Sequence, residues 1–78
     1  MTDLLTRALV GARFEYRLKD LLAEGYTLVF DRYDEFGAFA KLRHRNGNII
    51  TLSCDYGERT IKQKTNGQEV HAEKVCQP

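Results

Sequence analysis

An α+β fold, with an N-terminal helix packed on one face of a four- to five-stranded antiparallel sheet, is predicted by three features of this sequence. Apolar residues recur with helical spacing up to Gly25 and alternate with a period of two beyond it. Asn46-Gly47 and Asn66-Gly67 punctuate the alternating part as hairpin turns do. The third feature is size: 78 residues at 42% hydrophobic content fill one core and not two, so residues 1–78 read as a single domain. A core of this size supplies only about 3–5 kcal/mol, and small chains often add disulfides, a metal or a partner subunit.

The helix is expected over about residues 3–24. Asp3 lies in its first turn and Gly25 stands where a left-handed C-cap is wanted. At about 100° per residue its apolar side chains form two opposed stripes. Val10, Phe14, Leu18 and Leu21 make one, and Leu5, Leu9, Ala12 and Tyr16 make the other. Gly11 costs about 1 kcal/mol relative to Ala in a helix. Two readings follow: a break there into two short helices, or a mostly continuous helix whose second stripe faces something other than its own sheet. The continuous helix is favoured.

Five strands are expected at about 26–33, 36–44, 48–55, 58–65 and 68–75. The first alternates, with Leu28 and Phe30 on one side and Val29 and Tyr33 on the other. Asp34-Glu35 supplies a polar turn, and the second strand sets Ala38, Ala40 and Leu42 against Phe39, Lys41 and Arg43. The register with the third strand follows from parity. A two-residue turn at Asn46-Gly47 would pair Arg43 with Ile50, a whole-face error. A three-residue loop, Arg45-Asn46-Gly47 with Gly47 left-handed, pairs Leu42 with Ile50, Ala40 with Leu52 and Ala38 with Cys54. At Asn66-Gly67 a two-residue turn already matches Ile61 with Ala72 and Gln63 with Val70. Both strands of that hairpin are polar and belong at an edge.

The helix is expected to cover Leu28, Phe30, Ala38, Ala40, Leu42, Ile50, Leu52 and Ile61. That leaves an uncovered sheet face of Val29, Tyr33, Phe39, Lys41, Arg43, Ile49, Thr51, Lys62 and Lys64. Charge gathers in the same region. The chain has a net charge of +1, yet residues 36–65 hold six basic and two acidic side chains.

No catalytic, metal or cofactor signature stands out. His44, His71, Cys54 and Cys76 are four zinc-type residues, but no Cys-x-x-Cys or His-x-x-x-His pair brings two together locally. Asp31, Asp34 and Glu35 read as an acidic surface turn. Cys54 or Ser53 as a nucleophile would need His44 or His71 held beside it, and buried structural cysteine is the expected role. Glycines fall one per turn or strand start, which rules out a glycine-rich phosphate loop. Neither metal, cofactor nor catalytic residue is expected.

No apolar run approaches the roughly 18–20 residues of a membrane-spanning helix, so no membrane partner is expected. With no basic-then-apolar leader after Met1 and no cysteine framework, a cytoplasmic location is expected. The residues Cys76 to Pro78 are expected to fray. The expected function is that of a small non-enzymatic binding or regulatory module acting through protein–protein contacts. It would self-associate as a homodimer through Leu5, Leu9, Ala12 and Tyr16. The alternative is a nucleic-acid-binding protein using Tyr33, Phe39, Lys41, Arg43, Lys62 and Lys64, since aromatics beside cations can stack bases and neutralise phosphates. Size alone also suits an accessory protein of a phage or other mobile element.

Overall fold

Asp3 starts the helix. In the computed structural model, which describes residues 3–75, its carboxylate accepts the Thr6 N–H at 2.7 Å as an N-cap. That bond holds the Asp3 carboxyl below its ordinary pKa. Helix α1 runs unbroken over Leu4–Ala23, straight through Gly11. It ends at Gly25, whose φ of +99° lets the Gly25 and Tyr26 N–H groups turn back to the carbonyls of Leu22 and Leu21. This is a Schellman closure, and a side chain at Gly25 would be strained.

Five strands follow in sequence order: β1 (Thr27–Tyr33), β2 (Gly37–Arg43), β3 (Ile49–Asp55), β4 (Thr60–Thr65) and β5 (Gln68–Lys74). They form one antiparallel sheet, β1-β2-β3-β4-β5. Helix α1 packs over β2, β3 and β4. Val10, Phe14, Leu18 and Leu21 meet Ala38, Ala40, Leu42, Ile50, Leu52, Cys54, Tyr56 and Ile61 in a single core. The alanines of β2 leave room for the helix, and alternate residues of β2, β3 and β4 are buried as a half-covered sheet requires.

The β2–β3 loop is the three-residue form. Leu42 faces Ile50, Ala40 faces Leu52 and Ala38 faces Cys54, and Gly47 has φ +98°. At the β4–β5 turn Asn66 and Gly67 both have positive φ, which fits a two-residue type I′ turn.

Three expectations are corrected. A bulge between Leu28 and Phe30 inserts Val29 as an extra residue, so every later residue of β1 changes face. Phe30 lies opposite Lys41 on the uncovered side instead of in the core, and Tyr33 lies opposite Ala38 on the helix side. A second irregularity near Val70 gives Ile61 opposite Glu73 and Gln63 opposite His71, in place of Ala72 and Val70. The fourth strand begins at Thr60 and not at 58, because Arg59 takes φ +58° in the turn. Both bulges are on edge strands, which only one ladder holds in register. The expectation of a frayed Cys76–Pro78 segment lies outside the described residues.

Polar contacts tie the far edge of the sheet to the helix. Arg17 Nε donates to the buried Gln63 at 3.0 Å, and Arg13 Nε pairs with Glu73 at 3.1 Å. His71 Nε2 lies 3.0 Å from the other Glu73 oxygen; since an ionised carboxylate only accepts, that nitrogen carries the proton. These bonds, His71 first and Arg13 next, hold the Glu73 carboxyl below the ordinary glutamate range. A carboxyl depressed in the folded state stabilises the fold above its unfolded pKa, and that contribution is lost as pH falls through the folded value. Wild type and Glu73→Gln are therefore expected to differ in stability at pH 7 and to converge in acid. Urea titrations at neutral pH and well below the unfolded pKa would show this, and an equal difference at both would contradict it.

Candidate nucleic-acid interface

Directly opposed residues of antiparallel strands share a face, so the register defines the uncovered side of the sheet row by row. One row runs Phe30, Lys41, Thr51, Lys64, Glu69; the next runs Arg32, Phe39, Ser53, Lys62, Ala72. Thr27, Arg43 and Ile49 form a shorter row beyond the first. Adjacent strands stand about 4.8 Å apart, so each long row is a track crossing the sheet.

Lys41, Arg43, Lys62 and Lys64 are exposed, and their side chains form no hydrogen bond or ion pair among the described residues. Arg32 has only a long contact, 3.8 Å, with the exposed Asp34. Such an exposed pair contributes little and leaves the guanidinium free to exchange partners. Glu69 and Asp55 are the acidic residues at the margins of this face. A chain with a net charge of +1 thus carries six cations on one side of its sheet, these five and Lys74, which stands opposite Thr60 in the row of Gly37 and Asp55.

The aromatic component differs from the sequence expectation. Phe39, Lys41, Arg43, Lys62 and Lys64 lie on the uncovered face together. Tyr33 does not: its ring meets Phe14 of the helix edge-on, centroids 6.1 Å apart, and its hydroxyl donates to Glu15 at 2.8 Å. Burial, then that carboxylate, pushes its pKa up to about 12. Phe30 takes its place. It is 51% exposed and its ring lies 6.3 Å from that of Phe39, tilted by 56°. The β1 bulge therefore adds Phe30 and Arg32, both missed by the alternation argument. No local sequence signal marks the bulge, because Thr27–Tyr33 is apolar on both parities.

On the opposite side of the molecule, Leu4 and Leu5 of α1 are 81% and 64% exposed and Tyr16 63%. Ala12 is exposed and Leu9 half-buried. The second helical stripe is present, and no break at Gly11 folds it back.

The remaining candidates do not assemble. Burial pushes the Cys54 thiol up to about 11, so it stays protonated and a poor nucleophile at neutral pH. Cys54 is flanked in the sheet by Ala38 and Ile61. His44 packs on Tyr26 at 5.0 Å and His71 bonds Glu73, so neither serves Cys54 or Ser53. Asp34 caps its own turn by accepting the Phe36 and Gly37 N–H groups. Among the described residues no group of three or more His, Cys, Asp or Glu side chains converges to hold a metal; Cys76 lies outside them. No helix among them is long and apolar enough to cross a membrane.

No protein-family model matches the chain, and neither a curated protein nor a solved structure does.

Proposed function

We propose that this chain is a small non-enzymatic binding module whose ligand is single-stranded nucleic acid, laid across the uncovered sheet face. The observation that carries the reading is the pair of cross-strand rows that interleave Phe30 and Phe39 with Arg32, Lys41, Lys62 and Lys64. A broad face with two adjacent rings, Phe30 exposed and Phe39 half-buried, suits unpaired bases, whose π-faces are accessible. A duplex would present mainly phosphates and leave the rings unused. The cations supply the phosphate contacts, which position the strand without selecting sequence.

Fluorescence anisotropy with labelled oligo(dT) and oligo(U), against a duplex control, tests this. Binding is expected for the single strands, weakening with salt at about 0.7 log units of affinity per log unit of salt for each phosphate contact. No binding at low salt, or preference for the duplex, ends the reading.

Self-association through Leu5, Leu9, Ala12 and Tyr16 is a compatible second reading, favoured by the unbroken helix. A stripe of exposed Leu and Tyr on a continuous helix is an apolar patch that monomers usually avoid, and a two-fold pair buries it against itself. The helix and the basic face point in opposite directions, so such a dimer keeps both basic faces open. Sedimentation at about 100 μM is expected to give a dimer that dissociates on dilution. Leu5→Glu with Leu9→Glu is expected to leave a monomer, and a wild-type monomer at that concentration would refute the pairing.

A further inference from the structure

We propose that a cavity at the turn end of the uncovered face receives one base of the bound strand, stacked on Phe36. The inference rests on the nucleic-acid reading and adds a position at which a base, and not a phosphate, is held. The cavity measures about 230 Å³ and is lined by Arg32, Asp34, Phe36, Phe39, Ser53 and Asp55, among others. Arg32, Phe39 and Ser53 are also the start of the second cross-strand row. A strand following that row therefore runs into the cavity.

Phe36 is the most exposed aromatic ring of the described chain, at 73%, and it has no ring partner among the described residues. Its backbone is nonetheless held on both sides. The Phe36 N–H donates to the Asp34 carboxylate at 2.8 Å, and its carbonyl accepts the Tyr56 N–H at 3.0 Å. Next to it, Gly37 sits so close to β3 that an added Cβ would lie 1.9 Å from the Cys54 carbonyl oxygen. The ring is carried by a pinned turn, and a pre-positioned ring loses less freedom when a ligand stacks on it.

Charge decides which part of the ligand enters. The carboxylates of Asp34 and Asp55 line this end with a single cation, Arg32, which Asp34 already faces at 3.8 Å, whereas Lys41, Arg43 and Lys64 lie further along the sheet. A phosphate is repelled from the acidic end and attracted to the basic rows. A neutral base, whose N–H groups can donate to carboxylate oxygens, is accepted where the phosphate is not.

The chain contains no tryptophan, so Phe36→Trp places a single indole reporter at the site. With oligo(dT) and oligo(U) as probes, the indole emission of this variant is expected to be quenched as anisotropy reports binding, with affinity kept or improved. Phe36→Ala is expected to bind about 5- to 150-fold more weakly. Its dependence on salt should match wild type, since no phosphate contact is lost. Circular dichroism confirms the fold, which an exposed ring does not support. Unquenched indole emission at saturation, or wild-type affinity in Phe36→Ala, overturns the base position while leaving the sheet-face reading intact. Wild type that binds neither oligonucleotide overturns both.

Discussion

Replacing Lys41, Arg43 and Lys62 together by Ala is expected to abolish retention on single-stranded nucleic acid and to leave the fold in place. The three side chains stand on the face away from the helix and make no side-chain bond among the described residues, so their loss opens no cavity and strands no partner. If each neutralises one phosphate, the slope of log affinity against log salt falls in magnitude by about 2, at 0.7 per contact on a single strand. At low salt the affinity itself is expected to drop by a factor of about 100 or more, taking about 1 kcal/mol for each charge-assisted contact. Anisotropy titrations at three salt concentrations, with far-UV circular dichroism as the control, read both quantities. A triple variant with wild-type slope would mean that this face does not carry the phosphates.

The largest expected effect on stability comes from Gly37→Ala. The obstacle is backbone, the Cys54 carbonyl, and not the movable end of a side chain, so relief requires β2 and β3 to separate at the turn end. The contacts at stake are Asp34 N–H to the Gly37 carbonyl and Tyr56 N–H to the Phe36 carbonyl, both 3.0 Å, with buried Tyr56 behind them. Overpacking typically costs about 1–3 kcal/mol and more where nothing can yield. A core of this size supplies only about 3–5 kcal/mol. We expect Gly37→Ala to lose about 3 kcal/mol or more and to populate unfolded chain at room temperature. Urea denaturation measures this, and a midpoint within error of wild type would show that the strands part at little cost. Gly11→Ala is the matched control, because a Cβ there meets nothing within 4 Å; it should leave stability unchanged or raise it by up to about 1 kcal/mol.

The central part of the fold was legible because parity and burial agreed there. In β2 and β3 only one register keeps Leu42 and Ile50 inside and Arg43 outside, so the loop length at Asn46-Gly47 could be derived. The basic half of the candidate face followed at once, since Lys41, Arg43, Lys62 and Lys64 all alternate with buried residues. The aromatic half did not. Thr27–Tyr33 carries apolar residues on both parities, and alternation cannot choose a face for Phe30 or Tyr33. The cavity beside Phe36 was invisible for a different reason: residues 32–55 form it through a turn and parts of three strands, with no motif of its own.

The sequence by itself determined the two ends of the helix, near Asp3 and Gly25, the two hairpin turns and the pairing of β2 with β3. Each of these depends on local capping chemistry or on a face that must be buried. Tertiary structure alone decided the two edge strands. The Val29 bulge turns Tyr33 toward Phe14 and Glu15 and sends Phe30 and Arg32 to the open face. The Val70 irregularity brings His71 and Glu73 to the helix side, where Glu73 meets Arg13. Central strands are held by two ladders and a core, so a one-residue slip there would expose a buried face. Edge strands have one ladder and little burial, and their register is set by whichever contacts the helix can reach.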